Sequence, residues 1–159
     1  MANLNARAYS DTGLALTAQF EGLRLTAYQD AAGVWTIGHG HTGHDVHPGL
    51  TITTAQATQL LRQDAASAAA AVNRLVTCPL TQNQFDALVD FVFNLGAGIF
   101  ARSTLLQKLN RDSLTAAAAE FARWNRAGTT VLPGLMQRRQ AETALFLSPD
   151  ESIPAAIAS

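Results

Sequence analysis

Cysteine is almost absent. Cys78 is the only one in 159 residues, so no intrachain disulfide can form. The fold must be held by packing alone, which suits a reducing compartment and predicts accumulation in the cytoplasm. Long apolar runs are also missing. Nothing approaches the roughly 18 uninterrupted apolar residues of a membrane-spanning helix. The first ten residues are polar with one arginine, and LALTA at 14–18 is too short for the apolar centre of a signal peptide. Neither stable membrane insertion nor export by a leader is expected. Charge is scarce too, at 14% of residues with a formal net charge of −1. That balance argues against a general nucleic-acid binder. With hydrophobic residues at 48%, the chain is nonetheless no disordered polyelectrolyte. Its length fits one domain able to bury a core, and no internal repeat is visible.

The pattern along the chain predicts an α+β fold that is mostly α. A helix over 13–20 should stop at Glu21-Gly22. Strands are expected at 25–29 and 34–37, with the Asp-Ala-Ala-Gly turn at 30–33 between them and Gly33 free to take positive φ. After a loop rich in Gly, His and Pro, Thr53 or Thr54 should cap a long helix running to about Leu75, with an alanine-rich centre. Thr81 and Gln84 form a capping-box pattern that opens the next helix. There Phe85, Leu88, Val89, Val92 and Phe93 recur at helical spacing and should be core. Gly96 and Gly98 should break it, and Ser103 and Ser113 should cap the two helices that follow. Residues 124–133 read as a loop, 134–147 as a final helix, and 148–159 as a loose tail.

Chemistry concentrates in one run, FEGLRLTAYQDAAGVWTIGHGHTG, over residues 20–43. Glu21, Asp30 and Thr36 lie in it with the spacing E-x8-D-x5-T. Two carboxylates with a hydroxyl nearby are what glycoside hydrolysis needs: an acid for the leaving oxygen, and a base or stabiliser across the sugar. A single glutamate after a helix and a single aspartate in a turn are also ordinary surface residues, so spacing alone does not decide.

The whole run resembles the T4-type phage lysozymes, glycoside hydrolase family 24, the endolysins or muramidases. The likeness continues through GLTITTAQ at 49–56, LLRQD at 60–64, LTQNQFDALVDFVFNLGAG at 80–98, STLL at 103–106 and GLMQRRQAE at 134–142. It covers roughly residues 12–147 in order. It implies a lysozyme-like architecture with a small N-terminal β-hairpin lobe (about 12–52), a connecting helix (about 53–76) and a larger helical lobe (about 77–147), with an active-site cleft between the lobes. It implies that Glu21 is the general acid, Asp30 the catalytic aspartate, and Thr36 the threonine that helps hold the attacking water. The partner would be peptidoglycan, cut at the β-1,4 bond between N-acetylmuramic acid and N-acetylglucosamine with inversion. No cofactor and no metal are implied. Some endolysins carry an export anchor of their own. Lacking one here, the protein should be made in the host cytoplasm, act as a monomer in the periplasm or cell wall, and depend on a holin for release. One departure from the family pattern is His39, where tyrosine is the commoner residue; it puts local packing or a cleft contact in question.

Other residues carry weaker signals. His39, His41, His44 and His47 suggest a metal only if three or four converge, and His41 is accounted for by the G-H-T pattern. Asn94 lies where a helix ends, either as a cleft residue that meets sugar or as a helix cap. One of Arg138 and Arg139 could reach Glu21 and orient it, or the two could be a surface pair. Arg138, His39 and Asn94 are the candidate substrate contacts. Trp35 and Trp124 read as core rather than sugar platforms. Residues 100–140 hold seven basic and two acidic groups, either a draw towards the anionic wall or ordinary solvated helix faces. Two other readings remain: a lytic transglycosylase, for which Asp30 and Thr36 would be idle, and a non-catalytic wall-binding or virion domain, which would usually lack one of the three groups.

Overall fold

The structure, a computed structural model, describes residues 5–150. Most of the expected tail, 151–159, and the first four residues of the polar N-terminal segment lie outside the described residues. The first helix, α1 (Asp11–Glu21), starts at Ser10, whose hydroxyl accepts from Gly13 N. It ends at Gly22, which takes φ +77 and returns its N–H to Ala18 O. That left-handed exit is open to glycine at little cost, and it leaves Glu21 on the last turn. Gly13 serves a different need: a Cβ there would sit 2.2 Å from the Tyr9 ring, which packs against the helix at that point.

A small antiparallel sheet follows, in the order β1 (Arg24–Gln29), β2 (Trp35–Gly38), β3 (His41–Thr42). Tyr28 pairs with Thr36 and Gln29 with Trp35, while the register is irregular nearer Arg24. The third strand was not anticipated. Two residues long, it is too short to show alternation, and it exists because Gly38 and Gly40, both at positive φ, turn the chain tightly about His39.

The helix expected from Thr53 to Leu75 needs correction. It is two helices, α2 (Thr54–Asp64) and α3 (Ala66–Leu75), hinged at Ala65 with ψ −10°. The amides of Ala65 and Ala69 still reach back four residues, so the chain bends without stopping. Thr53, not Thr54, is the cap, in a full capping box with Gln56. The second expected box, Thr81 with Gln84, opens α4 (Gln82–Leu95), and every residue from Phe85 to Val92 is buried.

Around α4 pack α3, α1 and the last helix, α8 (Pro133–Leu147). Three short helices, α5 (Ala97–Arg102), α6 (Thr104–Asn110) and α7 (Leu114–Ala118), close one side. Ser103 caps α6, but Ser113 makes no side-chain cap to α7. The centre is aromatic: Phe91 meets Phe100, Phe121 and Trp124 edge-on at centroid distances of 6.1, 5.6 and 6.0 Å. Edge-to-face geometry of that kind adds to the area such rings bury. The loop expected at 124–133 contains a two-stranded hairpin, β4 (Arg126–Ala127) and β5 (Thr130–Val131), both exposed. The beginning of the expected tail is tied down. The Asp150 carboxylate accepts the Gln82 and Asn83 amides at the start of α4, and Asn83 donates to the carbonyls of Ser148 and Pro149.

The chain is thus mostly helical with small antiparallel sheets, as the sequence predicts.

Candidate active site

Glu21 closes α1 with its side chain 25% exposed. Its Oε2 receives a 2.6 Å hydrogen bond from Arg138 Nη1. A Cβ on Gly40 would lie 3.4 Å from Oε1, so the absence of a side chain keeps that oxygen's surroundings open. Gly40 also holds φ +86, strained for any other residue. The two carboxyl oxygens therefore differ. One faces a permanent N–H donor, so a proton carried by Glu21 belongs on Oε1.

Asp30 and Thr36 share one anchoring residue that lies between them, Val34. Asp30 Oδ1 accepts the amides of Ala32 and Val34 at 2.8 and 2.9 Å, which leaves Oδ2 for another partner. Thr36 Oγ1 donates to Val34 O at 2.9 Å, so the hydroxyl's lone pairs remain to accept. Asp30 is exposed and Thr36 buried. Gly33 at φ +80 lets the turn close with its amide on Asp30 O.

Of the two arginines it is Arg138 that reaches Glu21. It also grips Asp90 through Nε and Nη2 at 3.0 and 2.9 Å. Burial alone would lower the Arg138 pKa, but Asp90 and then Glu21 hold it above the usual arginine range. Asp90 is fully buried. Desolvation pushes its carboxyl up, yet hydrogen bonds from Glu142, Arg138 and Thr17 bring it below the ordinary aspartate range. Thr17 donates to Asp90 Oδ1 at 2.7 Å, and Tyr9 lies 2.6 Å behind Thr17. Burial first, then the nearby Asp90 charge, raises the Tyr9 phenol above its usual range.

Arg139 turns the other way. Its Nη2 bonds Asn94 Oδ1 at 2.8 Å and Glu142 Oε2 at 2.9 Å, and the guanidinium lies 5.2 Å from the Phe91 ring centroid. Arg139 Nε also lies 2.8 Å from Glu142 Oε1. Burial and the adjacent Asp90 push the Glu142 carboxyl well above the usual range.

The sequence reading missed Asp90 and Glu142. The signal was there: an aspartate inside the apolar face of α4, and a glutamate three residues after an arginine on α8.

The histidines do different things. His39 is 8% exposed and its Nδ1 donates to Gly22 O, pinning the end of α1 beside Glu21. His41 lies between two carboxylates, Nδ1 at 2.9 Å from Asp64 and Nε2 at 3.0 Å from Asp45. Among the described residues no three His, Cys, Asp or Glu side chains converge as a metal site.

Desolvation works against His41's charge, but with both ring nitrogens facing carboxylates its pKa is raised. The unfolded chain would titrate near pH 6.5. The clamp therefore stabilises fully below about pH 6.5 and fades as pH rises through the higher folded value. The Tm gap between the parent and His41→Asn is expected to be widest near pH 5.5 and to narrow by about pH 9. A gap independent of pH across that span would show that His41 acts by packing alone.

With this geometry in view, likeness to other proteins decides the family. The phage lysozyme family matches residues 18–142. The chain belongs to the phage lysozyme family. It is a glycoside hydrolase acting on peptidoglycan, a muramidase. It is 50% identical over 143 residues to the endolysin of Acyrthosiphon pisum secondary endosymbiont phage 1, covering 87% of this chain and 97% of that one. Its fold superposes on a mutant of P22 lysozyme with TM-score 0.85 at 42% identity, over 89% of this chain and 99% of that structure. The muramidase domain of SpmX from Asticaccaulis excentricus gives TM-score 0.83 at 43% identity, over 90% of this chain and all of that structure.

Proposed function

We propose that this lysozyme cleaves the β-1,4 bond between N-acetylmuramic acid and N-acetylglucosamine in one inverting step, with Glu21 as general acid and Asp30 and Thr36 as the water-holding pair. The glycan would lie in a cleft between the hairpin lobe and the helical lobe. Oε1 of Glu21 gives its proton to the glycosidic oxygen as that bond breaks. A water on the opposite face attacks the anomeric carbon and passes its proton to Oδ2 of Asp30, whose charge also supports the oxocarbenium-like state. Thr36 accepts the water's other hydrogen. The observation that carries this reading is the joint anchoring of Asp30 and Thr36 by Val34, which leaves one acceptor on each.

Asn94, whose carbonyl oxygen is engaged by Arg139, would offer its amide to a sugar. Arg138, 4% exposed, would serve by orienting Glu21, and His39 by fixing Gly22, rather than by touching substrate. Digestion of purified cell wall followed by end-group analysis and proton NMR of fresh product tests the mechanism. Reducing muramic ends of inverted configuration are expected. Anhydro ends would make it a transglycosylase, and a retained anomer would make Asp30 a nucleophile.

For release the proposal is a monomer made in the host cytoplasm that reaches the periplasm through a holin or another breach. No helix among the described residues is long and apolar enough to cross a membrane. Expressed alone in a Gram-negative cell, the protein should accumulate without lysis until chloroform is added. Prompt lysis with an intact inner membrane would overturn this.

A further inference from the structure

Arg138 is shared between two carboxylates of very different surroundings. Asp90 is fully buried and takes two of its N–H groups, while Glu21 is 25% exposed and takes one. In a dry interior the fork-to-carboxylate pair is the stronger contact. Charge counting then matters. With Asp90 ionised, the Arg138–Asp90 pair is already neutral, and a protonated Glu21 completes a neutral trio. Without the Asp90 charge, Arg138 would favour the ionised form of Glu21, the other carboxylate it is hydrogen-bonded to, and an ionised Glu21 cannot act as an acid.

We propose that Asp90 is a positioning residue for hydrolysis: it anchors Arg138 so that Nη1 fixes Oε2 of Glu21, and it matches the guanidinium charge so that Oε1 can carry the proton. Thr17 and Tyr9, lined up behind Asp90, hold that carboxylate in its ionised, oriented form. The other ionisable groups around the trio are Tyr9 from the N-terminal segment, His39 in the turn after β2, Asp86 on α4, and Arg139 and Glu142 on α8. Arg139 is turned to Asn94 and Glu142, so Arg138 is the cation Glu21 meets. The inference rests on the acid role of Glu21 proposed above.

The test is the pH profile of wall hydrolysis by Asp90→Asn and, with a smaller neutral side chain, Asp90→Ser. Folding is checked by circular dichroism, and kcat and KM are measured from about pH 4 to pH 9. Because an acid must be protonated, its rate falls on the alkaline side. Loss of the Asp90 charge should move that alkaline limb down by about one pH unit, so that kcat drops about tenfold at a pH on the limb itself. It should leave kcat near the parent's on the acid plateau below the limb and KM little changed. A folded variant whose profile scales uniformly with the parent's overturns the proposal, and so does failure of both variants to fold, which would make Asp90 a purely structural residue. If instead Glu21→Gln stays active, it is the acid assignment that falls, whatever the profiles of the Asp90 variants.

Discussion

Glu21→Gln should lose about 10²–10⁴-fold in kcat while folding and binding cell wall like the parent. The amide keeps the size of the side chain. Its oxygen can still accept from Arg138 Nη1, so the 2.6 Å contact that orients the group survives. What disappears, under the proposed mechanism, is the proton on Oε1 and with it assistance to the departing sugar. Asp30→Asn and Thr36→Val should fail differently. The asparagine keeps an oxygen for the amides of Ala32 and Val34 but loses the negative charge, so it should be severe yet leave a residue of activity. The valine deletes one buried hydroxyl at nearly equal volume and should lower kcat with little change in wall binding. Turbidity clearing at saturating wall, alongside a pull-down on insoluble wall, separates rate from binding. A Thr36→Val enzyme of full activity would refute the water-holding assignment.

Glu142→Leu should cost about 3–5 kcal/mol of stability, the usual penalty for leaving a buried charge, here the Arg139 guanidinium, without its partner. For a chain of this length each kcal/mol moves Tm by about 2–4 °C, so a fall of roughly 6–20 °C is expected. Arg139 is 1% exposed and Glu142 fully buried, so water cannot replace the lost partner. Leucine keeps much of the volume, which limits any cavity effect. The second half of the prediction decides the cause. Changing both residues, as Arg139→Leu with Glu142→Leu, should recover most of the loss, because an apolar replacement of a buried pair is often neutral or better. If the double variant melts as low as the single one, packing around Phe91 rather than stranded charge is responsible. Differential scanning calorimetry supplies all the values.

The elements most legible in the sequence were those with local causes. Thr81 with Gln84 announced α4, and the apolar spacing after it announced the core. Asp30 and Gly33 announced the hairpin turn. What could not be read has non-local causes. The hinge at Ala65 has no glycine or proline to mark it; it falls next to Asp64, whose carboxylate is held by His41 from 23 residues away. β3 depends on two positive-φ glycines rather than on residue alternation. The choice of Arg138 over Arg139 depends on Asp90, on a helix 48 residues earlier. Asp86 was also hidden. It looks like a solvent-facing residue just after the polar start of α4, yet it is buried under Ser10, which donates to it, and under Gln82. A contact between an N-terminal residue and the start of α4 leaves no trace in either segment alone.

Val34 is the hinge pin of the proposed chemistry, yet its side chain is 45% exposed and takes no part in it. Only its peptide groups matter, the N–H for Asp30 and the carbonyl for Thr36. Mutation should therefore be able to wander freely at this codon across polar and apolar residues alike, with one exclusion. Proline has no N–H to give Asp30. A survey of functional variants at position 34 would thus report on the backbone, recording a catalytic requirement as the single residue type that never appears.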